Sequence, residues 1–90
     1  MAMTKSASFT ITLAQLNPTV GDISGNAALA RNARARARAD GAALVVFSEL
    51  FIAGYPPGDL VLKPSFQAAC RAALEELARG TADGGPAVLF

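Results

Sequence analysis

The stretch that most constrains this chain is Ala42-Ala43-Leu44-Val45-Val46-Phe47, an unbroken apolar run with β-branched residues at its centre. A helical pattern precedes it and a Gly/Pro-rich loop follows. The run is therefore expected to be a strand buried on both faces, as in parallel sheets. Parallel strands are joined by crossover helices, so such a strand calls for helices on either side of it in sequence.

The flanking segments meet that demand. Phe9 to Leu16 alternates apolar and polar residues with period two, which predicts a first strand ended by Asn17-Pro18. After the turn Thr19-Val20-Gly21, Asp22 or Ser24 is placed to cap a helix running to about Asp40 and stopping at Gly41. Ile23, Leu29, Ala30, Ala33 and Ala37 fall on one side of that helix. Arg31, Arg34 and Arg38 fall on another, which reads as a solvated face. The loop Gly54-Tyr55-Pro56-Pro57-Gly58-Asp59 is punctuated too heavily for regular structure, and Leu60 to Lys63 fits a short turn. Ser65 is expected to cap a second helix, Phe66 to Arg79, ended by Gly80. Its apolar stripe is Phe66, Ala69, Cys70, Ala73, Leu74 and Leu77, with Arg71–Glu75 and Glu75–Arg79 four apart on the wet face. A polar turn, Thr81 to Pro86, leads into a third apolar run, Ala87 to Phe90. The order is β-α-β-α-β, with residues 1–8 expected to be disordered.

Composition narrows the function classes. Of 90 residues, 52% are hydrophobic and only 17% charged, against the roughly 25% charge usual for a soluble domain. This suits part of a larger body, cut short in its third strand. A net charge of +1 without any long run of like charges suggests neither nucleic acid nor an anionic membrane as partner. One cysteine permits no internal disulfide, and the absence of histidine excludes His-based triads and His metal sites. No segment has the form of a signal peptide or a membrane span, so a cytoplasmic location is expected. Neither G-x-G-x-x-G nor G-x-x-x-x-G-K-[ST] follows the first strand, so no nucleotide cofactor is expected within this segment.

Glu49 is the residue best placed for chemistry. It follows a strand, in V-V-F-S-E-L-F-I-A-G-Y, at the carboxyl end where parallel sheets bind ligands. A carboxylate among apolar neighbours would lose hydration and gain basicity. The competing reading is a strand-ending glutamate paired with a nearby cation. Tyr55 sits in the stiff loop beyond, where it either lines a site or packs on the core, and Asp59 fits a cap for the turn that follows. Cys70 lies mid-helix on the apolar face, a structural position and not that of a reactive thiolate.

The segments A-Q-L-N-P-T-V-G-D-I-S-G-N and A-D-G-A-A-L-V-V-F-S-E-L-F-I-A-G-Y-P-P-G-D-L-V-L-K-P resemble the start of nitrilase-type carbon–nitrogen hydrolase domains. They resemble most the N-terminal glutaminase domains of glutamine-dependent NAD synthetases, whose branch carries the Pro-Pro-x-Asp-Leu continuation. The resemblance runs from Phe9 to Phe90. It implies a fold that is the opening β-α-β-α-β portion of an α-β-β-α sandwich, and a Glu-Lys-Cys triad that releases ammonia from glutamine. Ammonia would then serve a C-terminal domain that uses ATP and Mg²⁺ to amidate deamido-NAD. The resemblance also implies a homo-oligomeric full-length enzyme.

Only the glutamate of that triad has a counterpart here, Glu49, as general base. Tyr55 matches a loop tyrosine near the family's pocket. The family's lysine and cysteine fall beyond Phe90, and Lys63 and Cys70 do not correspond to them. The ATP-binding S-G-G-x-D-S loop has no counterpart either. The 90 residues alone are thus expected to be inactive and, with an open apolar sheet edge, poorly soluble. A fragment of a stand-alone amidase and a non-catalytic remnant are the alternatives.

Overall fold

A computed structural model of the chain describes residues 8–90, so most of the segment expected to be disordered, residues 1–7, lies outside the described residues. Strand β1 (Ile11–Ala14), helix α1 (Ile23–Ala39), strand β2 (Leu44–Phe47), helix α2 (Pro64–Gly80) and strand β3 (Ala87–Leu89) follow in that order. Two short 3₁₀ turns, Gly58–Leu62 and Thr81–Asp83, flank α2. The three strands form one parallel sheet in the order β1-β2-β3. Both helices are crossovers between neighbouring strands advancing in the same direction. Right-handed crossovers of that kind place their helices on the same face.

The register explains which residues form the core. Thr12, Val45 and Val88 lie abreast, and Ala14 lies beside Phe47. Val45 and Phe47 are buried and Val88 packs against the core, so this face is the one under the helices. Ala27, Ala30 and Ala37 of α1 are buried against it, because alanine lets a helix approach closely. On α2, Cys70, Ala73 and Leu77 pack on the same core, while Leu74 is left at its edge.

The opposite face corrects the sequence reading. Ile11, Leu44 and Ala87 lie abreast there, as do Leu13, Val46 and Leu89. Leu13 is 67% exposed and Leu89 54%, while Leu44 and Val46 are only half buried. No described element packs on this face, so β2 is buried on one side and not on both.

Several ends also differ from expectation. The strands are shorter than their apolar runs because the parallel pairing spans only Ile11–Ala14 and Leu44–Phe47. Asp22 is the N-cap of α1, its Oδ1 accepting from the Gly25 amide at 3.1 Å, and Gly41 follows the helix at φ +78°. Helix α2 begins earlier than Ser65. Lys63 is its N-cap without a side-chain bond, and Pro64 occupies the first turn, where its missing N–H costs nothing. Gly80 does not stop α2, since at φ −63° it is still helical. Chain reversal falls to Gly84 at φ +78° instead. Gly58 and Asp59 belong to the first 3₁₀ turn, and its N-cap is Pro57, not Asp59.

Candidate functional site

The carboxyl ends of β2 and β3 form the floor of the site. Phe47 closes β2, and its ring stacks on that of Phe90 with centroids 4.6 Å apart. Phe51 completes the cluster at 5.0 Å from Phe47. Above this floor opens a cleft of about 560 Å³, lined by Glu49, Leu50 and Phe51 on one side and by Cys70, Leu74, Leu89 and Phe90 on the other. Glu49 is the only carboxylate among the residues lining this cleft.

The structure places Glu49 where expected along the chain, two residues past β2, but not in the expected environment. Its side chain is exposed, because the apolar residues beside it, Phe51 and Ile52, turn inward to the core while Ser48, Glu49 and Leu50 face out. Among the described residues Glu49 has no salt-bridge partner within 4.0 Å, so the alternative of a structural ion pair is not supported. Leu50 directly after it has φ +54°, a left-handed conformation that costs a non-glycine residue about 1–2 kcal/mol.

That turn is held by its surroundings. Leu50 C=O accepts from the Gly54 amide at 2.9 Å, closing a turn around Phe51, Ile52 and Ala53, all buried. The Gly21 amide donates to Ala53 C=O at 2.9 Å, joining the loop after β1 to the loop after β2. Gly54 is required at this crossing. Its φ is +83°, and a Cβ there would stand 2.5 Å from the Val20 Cα.

Asn26 ties the two loops from below. It is 1% exposed and its Oδ1 accepts from the Thr19 amide at 2.8 Å. Its Nδ2 donates to Thr19 C=O at 2.8 Å and to Ile52 C=O at 2.9 Å. The sequence reading passed over Asn26. Its signal was there: a polar residue of poor helix propensity in line with Ile23, Ala27 and Ala30 on the apolar face.

The other singled-out residues lie elsewhere. Tyr55 neither packs on the core nor lines the Glu49 cleft. It is 63% exposed, because Gly54 turns the chain outward just before it. Cys70 does line the cleft, but it sits half-buried on α2 and desolvation pushes its thiol up, away from thiolate character.

Arg34 is not on a solvated face. Its fork grips Asp83, Nη2 to Oδ1 at 2.6 Å and Nη1 to Oδ2 at 3.0 Å, and its Nε donates to Pro86 C=O at 2.8 Å. Arg38 adds a bond to Asp83 Oδ2 at 2.9 Å. Hydrogen bonding from Arg34 and from the Gly85 amide holds the Asp83 carboxyl well below the usual carboxylate range. Asp83 occupies these guanidinium donors, which argues against a phosphate site at this end of α1.

A parallel sheet covered by helices on one face, with a carboxylate just past the carboxyl end of its central strand, defines an α/β domain whose cleft opens at the strand ends. The carbon-nitrogen hydrolase family model matches residues 10–89, and the chain belongs to that family. A glutamine-dependent NAD(+) synthetase of Rhodobacter capsulatus is 51% identical over 76 residues, which is 84% of this chain and 14% of that protein. The glutamine-dependent NAD(+) synthetase of Thermotoga maritima is 48% identical over 80 residues, 89% of this chain and again 14% of the relative. Among solved structures, glutamine-dependent NAD+ synthetase from Acinetobacter baumannii in complex with ADP superposes with a TM-score of 0.73 at 33% identity. That match covers 77% of this chain and 13% of the neighbour. The chain therefore spans about one seventh of the length of the relatives it matches.

Proposed function

We propose that residues 9–90 form the opening part of the glutaminase domain of a glutamine-dependent NAD synthetase, with Glu49 as its general base. The observation that carries this reading is Glu49 itself, unpaired at the carboxyl end of the central strand and facing an apolar-floored cleft. The identity of the named relatives, all synthetases of this kind, favours this branch over a stand-alone amidase.

In this reading the carboxylate takes the proton of a cysteine thiol that lies beyond these residues in the complete domain. The thiolate attacks the side-chain amide carbon of glutamine, and the C–N bond breaks as the amide nitrogen leaves protonated as ammonia. Water then cleaves the thioester, with Glu49 again taking and returning a proton. A lysine, also from outside these residues, stabilises the tetrahedral oxyanion. Tyr55 lies outside the cleft that these residues form, and its proposed contact with the glutamine substrate is at the outer rim of the complete pocket.

The ATP and Mg²⁺ of the synthetase half are proposed to be held in another part of the complete enzyme. No phosphate-cradling glycine loop is present in the sequence. Among the described residues no cluster of three His, Cys, Asp or Glu could hold a metal ion, and no helix is long and apolar enough to cross a membrane. The complete enzyme is proposed to be cytoplasmic and homo-oligomeric.

The test is replacement. Residues 9–90 are substituted for the matching stretch of the Thermotoga maritima relative, and NAD formation is followed with glutamine and, separately, with ammonia. The reading predicts that the hybrid uses both nitrogen sources. A hybrid that is soluble and ammonia-competent yet unable to use glutamine would overturn it.

A further inference from the structure

We propose that Asn26 is a positioning residue for Glu49, setting the carboxylate's place over the cleft without touching substrate. The proposal rests on the reading of Glu49 as the base. Helix α1 carries the buried Asn26 amide to the point where the loops after β1 and β2 cross. There its one acceptor and two donors meet three main-chain groups, Thr19 N–H, Thr19 C=O and Ile52 C=O. The pattern is specific to an amide. Aspartate lacks the donors, leucine lacks everything, and glutamine is one methylene too long for a residue 1% exposed.

The link from Asn26 to Glu49 is short and stiff. Ile52 is three residues beyond Glu49, inside the turn closed by the Gly54 amide on Leu50 C=O. Leu50, between Glu49 and that turn, is held in a left-handed conformation it would leave if the turn were free. Asn26, the Gly21–Ala53 hydrogen bond and the close fit of Gly54 against Val20 together over-determine the turn. Of these, only Asn26 connects it to the rigid body of a helix through a side chain. An exposed glutamate otherwise has several rotamers and a mobile backbone, and a base displaced by about 1 Å can lose about 10²-fold in rate.

The experiment uses the hybrid enzyme described above, with Asn26→Asp, Gly54→Ala and Glu49→Gln made separately. Three readouts are taken: glutamine-dependent kcat and KM, ammonia-dependent rate, and hydrogen exchange by peptide. For Asn26→Asp the expectation is a glutamine-dependent kcat lower by about 10²-fold, the scale of a misplaced catalytic group. The KM for glutamine and the ammonia-dependent rate should stay close to the parent, and faster exchange should be confined to residues 48–54 and 19–21. Gly54→Ala should reproduce that signature by disturbing the same turn independently.

An unchanged kcat, or a loss of ammonia-dependent activity with exchange rising across β1, β2 and α2, would overturn the proposal and leave Asn26 a general stabiliser. The outcome for Glu49→Gln separates the two levels. Full glutamine use in that variant sinks the base itself. A dead Glu49→Gln beside a fully active Asn26→Asp sinks only the positioning role.

Discussion

Asn26 and Gly54 do opposite things at one crossing, the first supplying polar partners and the second getting out of the way. Three main-chain groups depend on the Asn26 amide, and the buried one, Ile52 C=O, costs about 1–3 kcal/mol if left unpaired. Asn26→Leu is accordingly expected to lower the unfolding free energy by about 2 kcal/mol or more, read as a drop in urea midpoint at constant m-value. Asn32→Leu, one residue type on the same helix but exposed, should change stability by less than about 0.5 kcal/mol. Glu49 was legible because a single acidic residue interrupts an apolar stretch just after a strand. Its exposure was not, since sequence neighbours on a turn point to opposite sides. Tyr55 shows the same limit: the loop was read correctly as stiff, but which way a stiff loop aims its side chain depends on Gly54 and Val20, 34 residues apart in sequence.

At the scale of elements, the strap from α1 to β3 was hidden for a related reason. Arg31, Arg34 and Arg38 look alike on a helical wheel, and only the return of the chain at Asp83 tells Arg34 apart. Arg34 fixes both Asp83 and the Pro86 carbonyl one residue before β3, so it sets where that strand enters the sheet. Because the folded Asp83 has a depressed pKa, its contribution is fully present above the unfolded value of about 3.9 and is lost as pH falls towards the lower folded value. Asp83→Asn should therefore be less stable than the parent at pH 7, and the two midpoints should draw together as the pH falls below about 4. Arg71–Glu75 at 3.0 Å offers the contrast: both partners are exposed, and Glu75→Gln should shift stability by no more than about 0.5 kcal/mol. The caps were legible where a side chain makes them, as at Asp22. They were misread at Ser65, where Pro64 already starts the helix one residue earlier.

The molecule as a whole is a sheet with one finished face. The order of strands and helices could be read directly from the alternation of periods, and the parallel topology followed from it. What the apolar runs could not show is that Ile11, Leu13 and Leu89 would stand exposed together, because an apolar strand has the same appearance whether its second face is covered by its own chain segment or by another. In an α-β-β-α sandwich that face meets a second sheet. The 90-residue chain by itself is expected to bind a hydrophobic dye and to self-associate, and Leu13→Lys with Leu89→Lys should suppress both. In the hybrid enzyme the same pair of lysines should instead prevent folding of the glutaminase domain, since each charge would be buried between sheets.

The central claim, that Glu49 is the base of a glutamine-hydrolysing site, is tested most directly by the ratio of glutamine-driven to ammonia-driven NAD formation in the Glu49→Gln hybrid. The ratio should fall by about 10²-fold or more, with ammonia-driven synthesis intact. A ratio equal to that of the parent hybrid would contradict it.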